Sequence, residues 1–321
     1  MTRKVVSMTL ILAILFTTVF TACGKNTNET DKNNIRIASL KGPTSIGLLN
    51  LYDNNGYSYS IHGTADEITT GIVKGEIDIA AVPCNLASVL YNKTEGGITI
   101  AAINTLGVLY ILAKGETITG VDDLKGKTIY STGQGTTPEY TLRYLLRENG
   151  IDPDKDVIIN YFSEASEVVA TVKTMDSAIV MLPQPYVTVA KANDSELETV
   201  IDITEEWEKI GSDSTVVTGV VIARTEFVNN NGEAFEEFLK EYEESVEFAN
   251  TNIEECANLC EKFDIFKAAI ASRAIPYCNV TFIKGEEMKS KILGYLNVLY
   301  NENPKSIGGS LPDDKAFYIG E

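Results

Sequence analysis

Between Ile35 and Ala223 the chain alternates short β-rich runs with stretches of helical periodicity, in two successive series, and this alternation limits the fold more than any other feature. In the first series Ile35–Leu40, Tyr57–Ile61, Ile77–Val82, Ile98–Ile103 and Val108–Ala113 predict strands. Helical patterns begin near Pro43–Ser45, after Thr64, and over Leu86–Tyr91. Thr64-Ala-Asp-Glu67 has the spacing of a capping box, Ile68 and Ile72 share one face, and Gly75 supplies the stop. The second series starts at Val121, with strands predicted over Thr128–Ser131, Val157–Phe162 and Ala178–Leu182. Its helices are predicted over Tyr140–Asn149, Glu167–Thr174 and Tyr186–Ala192, and an extended return follows from Asp213 to Ala223. Alternation of this kind implies parallel sheets with helices on both faces and ligands at the carboxyl ends of the strands. Beyond it the chain reads as mostly helical. In Glu233–Asn252 the residues Phe235, Phe238, Leu239, Tyr242, Val246 and Ala249 fall on one face with glutamates opposite, so that acidic run reads as a solvated face.

The first 34 residues stand apart. Arg3 and Lys4 precede an apolar run from Val5 to Phe20, and small residues, Thr21 and Ala22, lead to Cys23. The run is short and interrupted for a transmembrane helix, and the layout predicts a signal peptide over residues 1–22. The approach to Cys23 resembles the lipobox of bacterial lipoproteins, although Phe20 stands where leucine is commoner. Cleavage there would expose Cys23 for lipidation, and two acyl chains anchor stably where one does not. Polar residues 23–34 predict a flexible tether. The mature protein is then expected outside the cell membrane and held to it by lipid.

Composition narrows the function. The 321-residue precursor carries a net charge of −18, which loss of Arg3 and Lys4 would make more negative, so binding driven by phosphate neutralisation is disfavoured and no nucleic-acid partner is expected. One histidine, His62, and the absence of any CxxC argue against a zinc site and against histidine-dependent catalysis. No metal and no cofactor are expected. Cys84, Cys256, Cys260 and Cys278 would allow up to two disulfides in an oxidising compartment, with buried free thiols the simpler reading.

Four segments in order carry a family resemblance: IRIASLKGPTSIGLL, GTADEITTGIVKGEIDIAAVP, VDDLKGKTIYSTGQGTTPEYTLRYLLRENGI and AIVMLPQPYVTVA. Together they resemble type II periplasmic solute-binding proteins of ABC importers, in the nitrate, sulfonate and thiamine-precursor superfamily. The resemblance implies two doubly wound α/β lobes joined by a hinge of two crossings, near Ala113 and Ser214. Lobe one would take residues 35–113 and 215–321, and lobe two residues 114–214. It also implies a protein expected to be monomeric, whose lobes close on a small-molecule solute and present it to an ABC permease with its ATPase.

The physical reading agrees with that role. A helix N-terminus offers unpaired N–H groups and partial positive potential. Gly133 and Gly135 permit close backbone approach, Thr137 is placed to cap, and Pro138 suits the first helical position. Pro43-Thr44-Ser45 repeats the logic in the other lobe. Thr44, Ser45, Asn85, Gln134, Gly135, Thr136 and Thr137 are therefore the expected ligand contacts. Tyr186 and Tyr277 are further candidates for the cleft, with a structural role as the alternative, and Trp207 suits either hinge or ligand. No arginine and one cation, Lys41, lie in these loops. That absence favours a neutral, zwitterionic or cationic solute, with thiamine or its pyrimidine precursor first and a sulfonate, nitrate or bicarbonate as the alternative. A sensory lipoprotein, or an enzyme of thiamine or menaquinone synthesis with the same fold, is the competing reading; no catalytic residue is expected.

Overall fold

A computed structural model describes residues 32–211 and 214–320. The predicted signal segment, Cys23 and most of the predicted tether lie outside the described residues. The tether reading does not extend to residue 34: Lys32–Asn34 form a 3-10 turn, and Lys32 pairs with Glu237 at 2.9 Å and with Glu241.

Along the chain β1 (Arg36–Leu40), α1 (Pro43–Ile46), α2 (Leu49–Asn54), β2 (Ser58–His62), α3 (Ala65–Lys74), β3 (Ile79–Pro83), α4 (Cys84–Lys93) and β4 (Ile98–Leu106) come first. Then follow β5 (Leu109–Lys114), β6 (Thr128–Thr132), α5 (Thr137–Glu148), β7 (Ile158–Phe162), α6 (Ala165–Val172), β8 (Ala178–Pro183), α7 (Tyr186–Asn193), β9 (Glu198–Asp202) and α8 (Ile203–Lys209). The chain ends with β10 (Val217–Arg224), α9 (Thr225–Asn230), α10 (Gly232–Thr251), α11 (Ile253–Lys262), α12 (Ala268–Ala274), β11 (Val280–Ile283) and α13 (Gly285–Glu302).

These strands form two sheets, ordered β11-β4-β10-β3-β1-β2 and β7-β6-β8-β5-β9. The expected α/β class and two-sheet architecture are present. The sheets are mixed, however, where alternation predicted parallel ones. The pairs β1–β2, β1–β3, β6–β7 and β6–β8 are parallel, whereas β10 runs antiparallel to β3 and β4, and β5 antiparallel to β8 and β9.

β11 also runs antiparallel to β4; β5 and β10 are the strands that follow the two crossings, and the pairing of β5 moves the first boundary. Residues 109–113 were expected in lobe one, but β5 pairs along its length with β8 and β9 of the second sheet. The first crossing is Gly107-Val108, not near Ala113; the return reaches β10 at Val217. The two crossings lie close enough that a Cβ on Gly107 would come within 1.9 Å of Thr204 Oγ1 and 3.2 Å of Val216 Cβ. Glycine is required there by space.

Each sheet is covered on both faces. In the first, α10 buries Phe235, Phe238, Leu239, Tyr242, Val246 and Ala249 on one side, as its periodicity predicts. On the other side α4 and α13 bury Leu90, Ile292, Tyr295 and Leu296, in a cluster that Tyr140 and Trp207 of the second lobe join. The expected capping box at Thr64 does not form: the Thr64 side chain makes no cap bond, and Glu67 meets His62 Nδ1 at 3.1 Å instead. Cys84, Cys256, Cys260 and Cys278 are free and buried.

Candidate functional site

The parallel strands β1, β3, β6 and β8 all point their carboxyl ends at the junction of the lobes, the position from which this architecture presents loops to ligand. A cavity of about 420 Å³ opens there. Thr44 follows β1, Pro83 ends β3, Thr136 precedes α5, and Pro183 ends β8. Leu86, Val108, Leu109 and Val216 give it apolar walls, while Thr44, Asn85, Thr136, Thr137 and Thr218 supply the polar edges. Among the described residues no charged side chain lines it, and none of the lining side chains is ionisable.

Two helices end on this cavity from opposite lobes. α4 begins with Pro83 at its N-cap and α5 with Thr136, and neither receives a side-chain cap. Their first N–H groups and dipoles therefore supply the local polarity. Between the two ends a hydrogen bond joins the lobes: Thr137 Oγ1 donates to Asn85 Oδ1 at 3.2 Å. Asn85 is held in turn by donation from its Nδ2 to the Ser306 carbonyl at 3.2 Å.

Of the residues expected to contact ligand, Thr44, Asn85, Thr136 and Thr137 line this cavity together. Ser45 does not reach it. It is fully buried, and its hydroxyl donates to the Gly42 carbonyl at 2.8 Å in a helix α1 of four residues. Gln134 and Gly135 are exposed and outside the lining. The Gly135 N–H is already used, donating to Glu139 Oε2 at 2.6 Å. The cap position also differs: Thr136 is the N-cap and Pro138 lies one place further in, so Thr137 is free to face Asn85. The Thr136 hydroxyl donates to the Gly133 carbonyl at 2.6 Å.

Tyr186 packs edge-on against Phe266, 5.8 Å between centroids, away from this cavity. Tyr277 lines a different interlobe cavity, where its carbonyl accepts from Tyr110 Oη at 3.1 Å. Lys41 pairs with Asp264 at 2.8 Å and brings no charge to the cavity. Trp207 is fully buried between Tyr144 and Tyr295 and does not touch the cavity. The apolar wall was missed, although its signal was present: Val108 and Val216 sit in the two crossings, which must run beside any interlobe cleft.

Residues 98–255 match the family model described as NMT1/THI5 like. The likeness to that family covers those residues. The family resemblance read from the four segments is met. Among solved structures, the chain is similar to an ABC transporter from Parabacteroides distasonis, with a TM-score of 0.76 and 23% identity over 89% of this chain and 99% of that one. It is similar also to the periplasmic aliphatic sulphonate binding protein SsuA from Escherichia coli, with a TM-score of 0.69 and 15% identity over 87% of this chain and 92% of that one. The periplasmic nitrate-binding protein NrtA from Synechocystis PCC 6803 gives a TM-score of 0.53 and 15% identity, covering 74% and 69%. At such identities these likenesses establish the fold. No curated protein matches the chain in sequence. Among the described residues no helix is long and apolar enough to cross a membrane.

Proposed function

We propose that this protein is the solute-binding component of an ABC-type importer, and that the 420 Å³ cavity holds a small organic solute. The observation that carries the reading is the cavity's construction from both lobes, with the Thr137–Asn85 bond running across it. A ligand that touches both walls is held more tightly when the lobes are together, which is how a receptor converts binding into a closed form. The sulphonate- and nitrate-binding proteins of the same fold support this reading. His62 bonds Ser60 and Glu67 instead of lining the cavity, so a receptor is favoured over an enzyme.

The lining also ranks the solutes. Thiamine would bring a permanent cation to a cavity with no carboxylate among the described residues and with two helix N-termini, an arrangement that repels it. A compact oxyanion on a short apolar body gains from both helix ends and from the leucine and valine walls. An aliphatic sulfonate therefore ranks ahead of thiamine and its pyrimidine precursor. A thermal-shift panel of alkanesulfonates, nitrate, bicarbonate, thiamine and the aminopyrimidine tests this, since a solute at a hundredfold excess over its Kd stabilises by about 2.7 kcal/mol. Stabilisation by thiamine alone would reverse the ranking, and no stabilisation by any of them would remove the importer-solute assignment.

The predicted signal segment supports placement on the outer face of the cytoplasmic membrane, anchored through a lipidated Cys23. Cys23→Ser should release the protein from membranes. Mass spectrometry of the native mature N-terminus that finds an unmodified residue other than Cys23 ends this assignment.

A further inference from the structure

A second cavity, of about 690 Å³, lies between the same lobes and shares no lining residue with the first. The first has no charged lining among the described residues. This one carries both signs: Lys191, Asp202 and Glu205 face it from the β9 lobe, and Arg273 from the other. Three of these charges, Asp202, Glu205 and Arg273, have no opposite partner among the described residues. Asp202 ends β9, and its Oδ1 accepts the N–H groups of Thr204 at 2.8 Å and Glu205 at 3.3 Å, while no lysine or arginine among the described residues pairs with it. Arg273 donates from Nε to the Ala269 carbonyl at 3.1 Å, and no carboxylate among the described residues meets its guanidinium. Lys191 already faces Glu198 at 3.5 Å.

We propose that this cavity is a second ligand site, which takes a small zwitterion with its ammonium group on Asp202 and Glu205 and its carboxylate on Arg273. An unpaired, half-buried carboxylate is costly to the protein and is relieved by a cation. Burial holds the Asp202 carboxyl above its ordinary value; the two backbone N–H groups pull it down, and Glu205 and Glu208 push it up. An unpaired guanidinium presents a planar fork that matches a carboxylate. A simple anion would satisfy Arg273 and be repelled by Asp202 and Glu205, and a simple cation would do the reverse. Only a molecule bearing both charges suits both ends, and Tyr110 and Tyr277 between them offer ring surface to its side chain. Because the two ends belong to different lobes, such a ligand binds the closed arrangement best.

The test is a thermal-shift screen of the standard L-α-amino acids on the intact protein at neutral pH. Isothermal titration then follows with the best stabiliser, its N-acetyl derivative and its amide. At least one amino acid should raise the Tm, and each derivative, lacking one charge, should bind at least about tenfold more weakly, the weight of one charge-assisted contact. Asp202→Asn, which keeps the helix cap, and Arg273→Gln should each cost a similar factor and leave alkanesulfonate binding unchanged. The proposal is overturned if no amino acid stabilises the protein, or if either derivative binds as tightly as its parent. Wild-type affinity in both variants overturns it too, as does amino-acid binding that is lost in Thr137→Val but kept in Asp202→Asn.

Discussion

Thr137 was expected to cap its helix, but its hydroxyl instead reaches across the lobe junction to Asn85. The difference has a measurable consequence. Thr137→Val keeps the shape and removes one hydrogen bond, which costs about 1 kcal/mol and so about fivefold in solute affinity. Stability should change little, since no cap is lost. Isothermal titration alongside chemical denaturation separates this from capping, in which stability would fall and affinity would follow it. Gly135 behaves in the opposite sense. Its φ of +72° lies in the left-handed region, so Gly135→Val strains the loop and lowers stability by about 1–2 kcal/mol, although the space around its Cβ position is open. Thr44, Asn85, Thr136 and Thr137 were legible as a group because residues at the starts of helices after parallel strands must face the cleft. Gln134 was not, since the positive φ of Gly133 and Gly135 on either side turns it to solvent, and nothing in the residue types announces that direction.

At the scale of elements, local pattern located most of the strands and helices, but not which sheet each strand joins. The run over 109–113 is equally apolar for either sheet, and its partners β8 and β9 are set by sequence 66 to 92 residues away. Glu198–Asp202 was missed because a half-exposed strand of five residues carries little hydrophobic signal. The clip at the amino end of β3 was equally hidden. Asp78, nearly fully buried, accepts from Arg36 Nε at 2.8 Å and Nη2 at 2.7 Å and from Arg224 Nη2 at 2.8 Å, so one carboxylate ties the starts of β1 and β3 to the end of β10. Burial pushes this carboxyl up, but the guanidinium hydrogen bonds from both arginines and the Arg36 N–H outweigh it and hold the group below its ordinary value. A carboxyl depressed in the folded state stabilises above its unfolded value of about 4 and loses that contribution as pH falls through the folded value. Asp78→Asn should therefore lower stability at pH 7 by about 2–3 kcal/mol, at or below the usual cost of breaking a buried pair because Arg36 partly reaches solvent. It should also flatten the acid limb of stability measured by urea unfolding between pH 7 and 3. An unchanged acid limb would show that Asp78 is not the group responsible.

For the whole molecule the lobes touch along two seams of unequal strength, and the inequality predicts how they open. Along one seam α5 meets α13: Thr141 and Tyr295 share a hydrogen bond of 3.0 Å, Asn303 Nδ2 donates to Tyr140 Oη at 2.9 Å, and Trp207 is fully buried against Tyr144 and Tyr295. Parting that seam would wet two large aromatic side chains of about 150–250 Å² each, a cost of several kcal/mol at about 25 cal/mol per Å². Along the other, α7 meets the segment around α12 through the edge-on pair Tyr186–Phe266 and the bond from Tyr110 to Tyr277, a residue 55% exposed. Those contacts amount to about 1–3 kcal/mol together. The second seam should open while the first acts as the pivot. In scattering, a bound solute should shrink the radius of gyration. The emission of Trp207, the chain's one tryptophan, should stay fixed through that change because its surroundings do not part. A tryptophan placed on the other seam, Phe266→Trp in a Trp207→Phe background, should shift to the blue as solute binds and closure removes it from water. If Trp207 emission shifts and the Phe266→Trp reporter does not, the pivot lies on the α7 side, and the buried aromatic seam is the one that opens.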